Sequence, residues 1–214
     1  MSNSFENEVK EKVLKTKSKK FIDEKISGNR NGHKFNLLPV TKDVAEMPEL
    51  VSLLGQWRKK HESWFQAVFN VTDEGTKRWL NKALYEVEDR ILFIIEIESK
   101  FVGHVGLFRI DYQNKTCEID NIVRGEDGYP GIIQSAIEEM LVWARSYLGL
   151  EKFTLQTYSD NPKALGLYTK MGFIEYKREP MLQVTTPGKI EWVKAENNFK
   201  GDIKRYNVYM ELNK

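Results

Sequence analysis

The sequence contains a single cysteine, Cys117, among its 214 residues, so no disulfide bond can form within the chain. This fits a reducing compartment. No apolar run reaches the length of a membrane-spanning helix, and the first twenty residues lack the apolar segment of a secretory signal. Neither sign of charge predominates, because 33 Lys and Arg nearly balance 31 Asp and Glu, for a net charge of +2. A broad nucleic-acid-binding face would need a strong basic excess. We therefore expect a cytoplasmic protein without a nucleic-acid partner. A homodimer is compatible with the sequence.

What is present is the composition of a globular protein, with 41% hydrophobic and 30% charged residues. We expect residues 34–214 to form one domain. Residues 1–33 differ, because they are rich in lysine and contain a cluster of helix breakers from Ser27 to Gly32. Their larger apolar side chains form one weak helical stripe, made of Val9, Val13, Phe21, Ile22 and Ile26. This pattern predicts a flexible arm or a weak helix over residues 1–33.

From Phe35 onward, hydrophobic periodicity predicts a regular series of helices and strands. Helices are predicted over about 46–59, 73–88, 131–148 and 161–171. Strands are predicted over 35–40, 91–97, 101–108, 116–123, 152–157, 173–183 and 206–212. The polar stretch 185–204 is predicted to be a long loop or an excursion from the sheet. Hairpin strands come first and strand–helix units follow, which predicts an α/β fold with a mixed, mostly antiparallel central sheet and helices on both faces.

A glycine-containing loop joins the strand that ends at Val123 to the helix that begins near Gly131. Glycines let backbone amides turn toward a ligand, and the start of a helix carries a partial positive charge. The first acidic residue inside this helix is Glu138, so no side chain neutralises its N-terminus. The segment is typical of a diphosphate-binding loop, although an ordinary tight connection would look the same.

A second pattern lies in the helix predicted over 161–171. Asn161 and Tyr168 are seven residues apart and therefore share one face, with Ala164 and Leu165 between them. A polar group at the helix start and a phenol two turns later could contact one elongated ligand. Alternatively, Asn161 caps the helix and Tyr168 packs in the core.

The run SDNPKALGLYTKMGF, with VGHVGL and VRGEDGYPGIIQSAI upstream, resembles GNAT acetyltransferases, in which an Asn, a small residue and a Tyr precede a Gly-Phe pair. In order and spacing the resemblance covers roughly residues 35–180. One departure concerns the loop pattern Gln/Arg-x-x-Gly-x-Gly/Ala. Here Gly131 serves as its first Gly, Gly128 takes the Gln/Arg position and Ile133 takes the final small position. Arg124 lies four residues before that Gln/Arg position.

The resemblance implies acetyl-CoA as the cofactor, with its pantetheine arm in a splay between the fourth and fifth predicted strands, 116–123 and 152–157. No metal is expected. Tyr168 would lie near the sulfur and protonate the leaving thiolate. The cofactor-binding residues implied by the resemblance are Ile122, Val123, Arg124, Gly128, Tyr129, Gly131, Ile132, Asn161, Ala164 and Tyr168.

Direct attack on a thioester needs a neutral amine, so a base must remove the proton of the ammonium. Glu118 and Asp120 share one face of a strand by alternation and are the leading candidates. Each could instead face solvent or bond a loop. His104 is a third candidate, for which we favour a structural or substrate-lining role. Cys117 lacks an evident base partner, so we interpret it as a small core residue.

The run WRKKHESWF and the following VTDEGTKRWL are similar to GNAT enzymes that acetylate amino groups of nucleotide-linked deoxy-sugars. Arg58 and Lys59 could meet a diphosphate, and Trp57 or Trp64 could stack on a base or sugar. These tryptophans could equally be core and the cations solvated. The leading hypothesis is an N-acetyltransferase for a UDP- or dTDP-linked amino sugar in surface-polysaccharide synthesis. Alternatives are a protein N-terminal acetyltransferase and a non-catalytic CoA-binding module.

Overall fold

The computed structural model describes residues 2–30, 32–196 and 199–212. The helices are α1 (Ser2–Lys17), α2 (Pro48–Lys60), α3 (Asp73–Trp79), α4 (Ile132–Trp143) and α5 (Pro162–Lys170). Helices α3 and α4 continue as wider π-type turns over Leu80–Tyr85 and Ala144–Leu148, and single 3-10 turns lie at Lys42–Glu46 and Glu62–Trp64. The strands are β1 (Ile26–Arg30), β2 (His33–Pro39), β3 (Ala67–Phe69), β4 (Ile91–Ile97), β5 (Lys100–Asp111), β6 (Thr116–Arg124), β7 (Lys152–Tyr158), β8 (Ile174–Thr186), β9 (Lys189–Lys194) and β10 (Arg205–Leu212). Within the described ranges, no helix has the length and apolarity to cross a membrane.

The ten strands form one sheet in the order β1-β2-β4-β5-β6-β7-β10-β8-β9-β3. Every neighbouring pair is antiparallel except β6 and β7, which are parallel. Alternate side chains of a strand point to opposite faces, and β4 shows where they go. Phe93 packs in the same core as Met140 of α4, whereas Ile94 packs in a second core with Leu54 of α2. Helices therefore cover both faces, and the predicted α/β fold is confirmed.

Local signals in the sequence account for the start and end of α5. Asn161 is its N-cap and accepts a hydrogen bond from the Ala164 amide at 3.2 Å. Pro162 occupies the first turn, where its missing N–H costs nothing. After the helix, Gly172 adopts a φ of +92°, the left-handed conformation that commonly terminates helices. These three residues fix α5 immediately after β7.

The N-terminal segment is packed, where the sequence pattern allowed a flexible arm. Val9 and Val13, one turn apart on α1, are fully buried in the core that also contains α4. Downstream, β1 forms the outer strand of an antiparallel pair with β2, with Ile26 opposite Leu37. Phe5 of α1 also packs against the core that contains α4, and the buried Lys17 Nζ donates to the carbonyls of Leu84 and Val87 at 2.9 and 2.6 Å, which attaches the end of the helix. Met1 and Asn31 lie outside the described residues.

Residues 185–204 were predicted to be a loop or an excursion from the sheet, and the structure corrects this in part. Strand β8 continues to Thr186, the chain turns at Gly188 with a φ of +77°, and β9 returns beside β8. Strand β9 then pairs with β3, with Glu191 opposite Ala67. The strand was missed because it has only six residues and lies inside a stretch that is otherwise polar. Within the same stretch, residues 197–198 lie outside the described ranges.

Candidate active site

The central feature of the site is an interruption in the sheet between β6 and β7. The two strands pair over only four positions, from Thr116 opposite Lys152 to Ile119 opposite Leu155. Beyond these positions β6 continues along β5 to Arg124, and β7 continues along β10. The facing edges of the two strands separate there, which confirms the predicted splay. A gap of this kind leaves backbone groups of β6 free to bind an elongated ligand.

A β-bulge in β6 marks the beginning of this gap. His104 is opposite Val123 and Gly106 is opposite Asp120, so Asn121 and Ile122 together face one residue of β5. Asn121 has a φ of +51°, a conformation that asparagine tolerates better than most residues. The extra residue changes which face of the sheet the following side chains reach.

His104 holds this bulge from within the core. Its Nδ1 lies 2.6 Å from the Asn121 carbonyl oxygen, and because a carbonyl can only accept, Nδ1 carries the proton. Burial lowers the pKa of His104 to about 4, with the Asn121 contact opposing the shift, so the ring is neutral at ordinary pH. His104 is only 5% exposed. This corrects the substrate-lining alternative in favour of the structural one.

Glu118 faces the gap and is held from two sides. Its Oε2 accepts hydrogen bonds from Arg109 Nη1 at 3.0 Å and from Gln156 Nε2 at 2.8 Å. Gln156 belongs to β7, one position beyond the last pairing with β6, so the contact spans the mouth of the gap. Burial raises the pKa of the Glu118 carboxyl, and Arg109 and Gln156 partly offset this. A carboxylate with a raised pKa is a stronger base at neutral pH.

Asp120 has a different environment on the same face. It forms an ion pair with Arg90, and both side chains are mostly buried. The same carboxylate oxygen accepts a hydrogen bond from Asn121 Nδ2 at 2.6 Å. These two partners tie the carboxylate to Arg90 and to Asn121 of the bulge. Asp120 is therefore placed to hold the bulge and is a weaker candidate for the base than Glu118.

The loop after β6 is supported by Trp57 of α2. The amides of Gly125 and Glu126 donate to the Val102 carbonyl at 2.9 and 3.0 Å. Trp57 Nε1 donates to Glu126 Oε1 at 3.0 Å, and its ring lies so close to Gly125 that a side chain there would collide with it. Trp57 is 2% exposed. The prediction that it stacks on an acceptor is therefore corrected to a role in supporting the loop.

At the end of this loop the start of α4 fits an anionic group. Gly131, the residue before the helix, has a φ of +79°, and Gly128 has a φ of +95° with open space around it. The first turn of α4 contains no acidic residue and no side-chain cap. Apart from the Ile132 amide, which donates to the Tyr129 carbonyl, its amides remain available to a ligand. Arg30 of β1 lies against Gly131, and its Nε is buried without a hydrogen-bond partner. Open amides and an unpaired guanidinium suit a diphosphate.

Other residues predicted to bind the cofactor line this loop or the gap. Arg124 is half-exposed and forms an ion pair with Asp127 at 3.0 Å. Tyr129 is partly buried, and its carbonyl accepts from the Ile132 amide at 3.3 Å. Val123 is buried in the core on the α2 side of the sheet.

Beyond the bulge, Ile122 packs against the same core as Ile119 three residues earlier, which unbroken alternation would forbid. The bulge thus sets which side chains face each wall of the gap.

Tyr168 and Asn161 lie on α5, which begins directly after β7. Tyr168 is 6% exposed and packs edge-on against Phe173, with ring centroids 6.2 Å apart. Burial raises the pKa of its phenol, which keeps the group protonated, as a proton donor must be. Asn161 uses Oδ1 to cap the helix, and Ala164 is partly buried in the turn between them.

Arg58, which was predicted to contact the acceptor, is held in place by neighbouring groups. Its guanidinium bonds the Ala67 carbonyl and lies over the rings of Phe65 and Phe69, 3.8 and 5.0 Å from their centroids. Burial lowers the pKa of Arg58 to about 10. Arg58 thus anchors β3, while its Nη1 is buried without a hydrogen-bond partner, and its contact with a diphosphate stays a prediction. Trp64, in contrast, is 41% exposed.

Several residues of the site carried no recognisable pattern in the sequence. Gln156, Arg109 and Arg90 surround the two carboxylates, and Arg30 reaches the loop from the N-terminal segment. Arg90 and Gln156 lie 30 and 38 residues from the carboxylates they contact, and Arg30 is still more remote in sequence from Gly131, so periodicity does not report these contacts. Cys117 is buried in the core, and burial raises the pKa of its thiol, which fits the core role predicted for it. Among the described residues, no group of three or more His, Cys, Asp or Glu could hold a metal ion.

Residues 34–174 match the family described as "Acetyltransferase (GNAT) domain". The chain belongs to the GNAT acetyltransferase family. This agrees with the resemblance carried by the loop and by α5. GNAT acetyltransferases use acetyl-CoA, and the glycine loop, the α4 start and the gap described above are suited to such a ligand. The family match therefore supports acetyl-CoA as the cofactor and does not identify the acceptor.

Among known proteins, the chain is similar to spermidine N(1)-acetyltransferase of Vibrio cholerae, with 28% identity over 112 residues. That match covers 52% of this chain and 64% of the relative's length. The crystal structure of spermidine N-acetyltransferase from Vibrio cholerae with CoA and spermine has a TM-score of 0.61 at 18% identity, covering 83% and 94% of the two chains. A ribosomal L7/L12 α-N-protein acetyltransferase has a TM-score of 0.64 at 11% identity, covering 88% and 93%. At these identities the structures show a shared fold.

Proposed function

We propose that this protein transfers the acetyl group of acetyl-CoA to an amine nitrogen of a small acceptor by direct attack. The observation that carries the proposal is the end of the β6–β7 pairing at Ile119 and Leu155, with the Glu118 carboxylate beside it. Acetyl-CoA, when bound, supplies the acyl group and a thiolate leaving group. Backbone groups of Ile122 and Val123 would bind the pantetheine arm in the gap.

The remaining cofactor contacts follow from the same geometry. Amides at the start of α4, preceded by the glycine at position 131, would bind the diphosphate. The amide nitrogen of the Asn161 side chain would donate to the pantetheine arm, because the oxygen of that side chain is engaged as the helix cap.

Two protons must move during the reaction, and two side chains are suited to them. Glu118 would accept the proton of the attacking ammonium, directly or through water, because burial raises its pKa. Asp120 is engaged with Arg90 and Asn121 and would instead maintain the shape of the bulge. The phenol of Tyr168 would donate a proton to the departing sulfur.

For the acceptor we propose a polyamine-type small molecule. The support is the similarity to spermidine N(1)-acetyltransferase, which reaches 28% identity. A nucleotide-linked amino sugar is the second candidate, favoured by the sequence run around Trp64, whose ring keeps an exposed face. Trp57 and Arg58, the other residues predicted to bind such a sugar, support this candidate less, because they contact the loop after β6 and strand β3 respectively.

The proposal is tested by incubating the full chain with acetyl-CoA and a panel of spermidine, spermine, UDP- and dTDP-linked amino sugars, and ribosomal-protein N-terminal peptides. Release of free thiol is the readout. We expect turnover with the polyamines. Turnover with the sugars alone would identify the second candidate, and turnover with the peptides alone would identify a protein acetyltransferase. CoA binding without turnover on any acceptor would favour a non-catalytic module.

A Tyr168→Phe variant tests the proton donor. The ring and its packing against Phe173 are preserved, so CoA affinity should be unchanged. Turnover should fall by about 10²- to 10⁴-fold, because the group that protonates the thiolate is lost. The measurement is kcat with saturating acetyl-CoA, alongside CoA binding by calorimetry. Equal kcat in the two proteins would remove Tyr168 from the chemistry.

A further inference from the structure

Arg30 is the last residue of β1, and it lies beside the start of α4. A methyl group added at Gly131 would come within 2.9 Å of Arg30 Nη2 and 3.0 Å of its Nε. Two residues earlier on the strand, Gly28 packs against the side chain of Glu139, two turns further along the helix. Strand β1 therefore runs along α4, and its end brings a guanidinium to the first residue of the loop–helix junction.

This guanidinium is not paired with an acidic side chain among the described residues. Its Nε is buried and has no hydrogen-bond partner. The acidic residues of the neighbouring loop are engaged elsewhere, since Glu126 accepts from Trp57 and Asp127 pairs with Arg124 and Lys60. Burying a donor without a partner is costly unless a ligand satisfies it. The geometry thus leaves a cation in place at a helix start whose first-turn amides, beyond that of Ile132, are also open to a ligand.

We propose that Arg30 binds the diphosphate of acetyl-CoA, together with the amides that begin α4. This inference rests on the proposed function. A guanidinium presents parallel N–H donors that match two oxygens of one phosphate, and the helix start attracts the same negative charge. The N-terminal segment would then complete the cofactor site, because β1 delivers the side chain.

The test is calorimetric binding to the full chain, comparing the unmodified protein with Arg30→Gln. Three probes are used: CoA, 3′-dephospho-CoA, which keeps the diphosphate, and pantetheine, which has no phosphate. We expect Arg30→Gln to bind CoA and 3′-dephospho-CoA about 10- to 100-fold more weakly, as the loss of charge-assisted hydrogen bonds predicts. Pantetheine should bind both proteins equally. Arg178→Gln, which removes an exposed arginine paired with Glu175, is the matched control and should leave all three affinities unchanged.

Four results would overturn the proposal. These are unchanged CoA affinity in Arg30→Gln, tighter binding, an equal loss for pantetheine, and a loss confined to CoA, which would assign the 3′-phosphate instead. If Arg30→Gln shows no cooperative thermal transition by circular dichroism, Arg30→Lys carries the test. It should bind CoA and 3′-dephospho-CoA more weakly than the unmodified protein while binding pantetheine equally, because the charge stays and the forked geometry is lost. Failure of the unmodified protein to bind CoA would instead reject the proposed function itself.

Discussion

At the scale of single residues, the contrast between Glu118 and Asp120 decides which carboxylate suits the base. The two alternate on one strand and looked equivalent in the sequence. In the structure, Asp120 is engaged with the charged side chain of Arg90, while Glu118 meets the neutral amide of Gln156 and the exposed side chain of Arg109. Exposed ion pairs stabilise the charged form only weakly. Burial therefore dominates at Glu118, and its pKa rises.

A Glu118→Gln variant tests this assignment through the pH profile. The base must be ionised, so kcat/KM should fall as the pH decreases through the raised pKa of Glu118. In Glu118→Gln this acidic limb should vanish, and kcat should fall by about 10²- to 10⁴-fold. The measurement is kcat/KM from pH 4.5 to 9 with the best acceptor.

Asp120→Asn provides the comparison, because it should lose rate through the bulge and still show the acidic limb. Retention of the limb in Glu118→Gln, together with its loss in Asp120→Asn, would reverse the two roles.

At the scale of elements, the success of prediction followed how local the determining contacts were. Helix α5 was predicted closely because its cap, proline and terminal glycine lie within twelve residues of one another. Strand β9 was missed although its hairpin with β8 is local, and its other edge pairs with β3, 120 to 124 residues earlier in the chain. The bulge at Asn121 was equally invisible, because it depends on His104 in the neighbouring strand.

Arg205, the first residue of β10, shows how such distant elements are joined. Its guanidinium lies 4.1 Å from the ring centroid of Trp192 and 4.4 Å from that of Tyr158. It pairs with Asp160 at 2.6 Å and donates to the Ser63 carbonyl at 3.1 Å. One side chain thus connects β9, the end of β7, the turn before α5 and the 3-10 turn that carries Trp64.

We expect Arg205→Met to lower the free energy of unfolding by about 2–4 kcal/mol, because a mostly buried, multiply bonded cation is lost and Asp160 is left without it. Urea denaturation followed by circular dichroism measures this. Arg178→Met removes an exposed arginine paired with Glu175 and should cost less than about 1 kcal/mol. Equal losses in the two variants would show that Arg205 does not join these elements.

At the scale of the whole molecule, His104 links the stability of the fold to pH. Its pKa is about 4 in the folded protein, below the ordinary 6.5. Between these values the unfolded chain binds a proton that the folded protein excludes. Stability is therefore complete above about pH 6.5 and decreases as the pH falls toward 4.

A His104→Gln variant removes this proton while keeping a side-chain donor for the Asn121 carbonyl. From pH 7 to pH 5 the unmodified protein should lose about 2 kcal/mol more unfolding free energy than the variant, because each pKa unit is worth about 1.4 kcal/mol. Urea unfolding at the two pH values gives the comparison. Parallel losses would show that the acid sensitivity arises elsewhere.

The strand order divides the molecule at the interruption into two groups of five, β1-β2-β4-β5-β6 and β7-β10-β8-β9-β3. A four-residue ladder joins them at one end. Strand β3 provides a second connection. It follows α2 in the chain and pairs with β9 at the far edge of the second group. The two groups of strands are therefore connected at two places, by the β6–β7 ladder and by the pairing of β3 with β9. We expect these two connections to hold the gap between β6 and β7 open before acetyl-CoA binds, so that binding spends little free energy on shaping it.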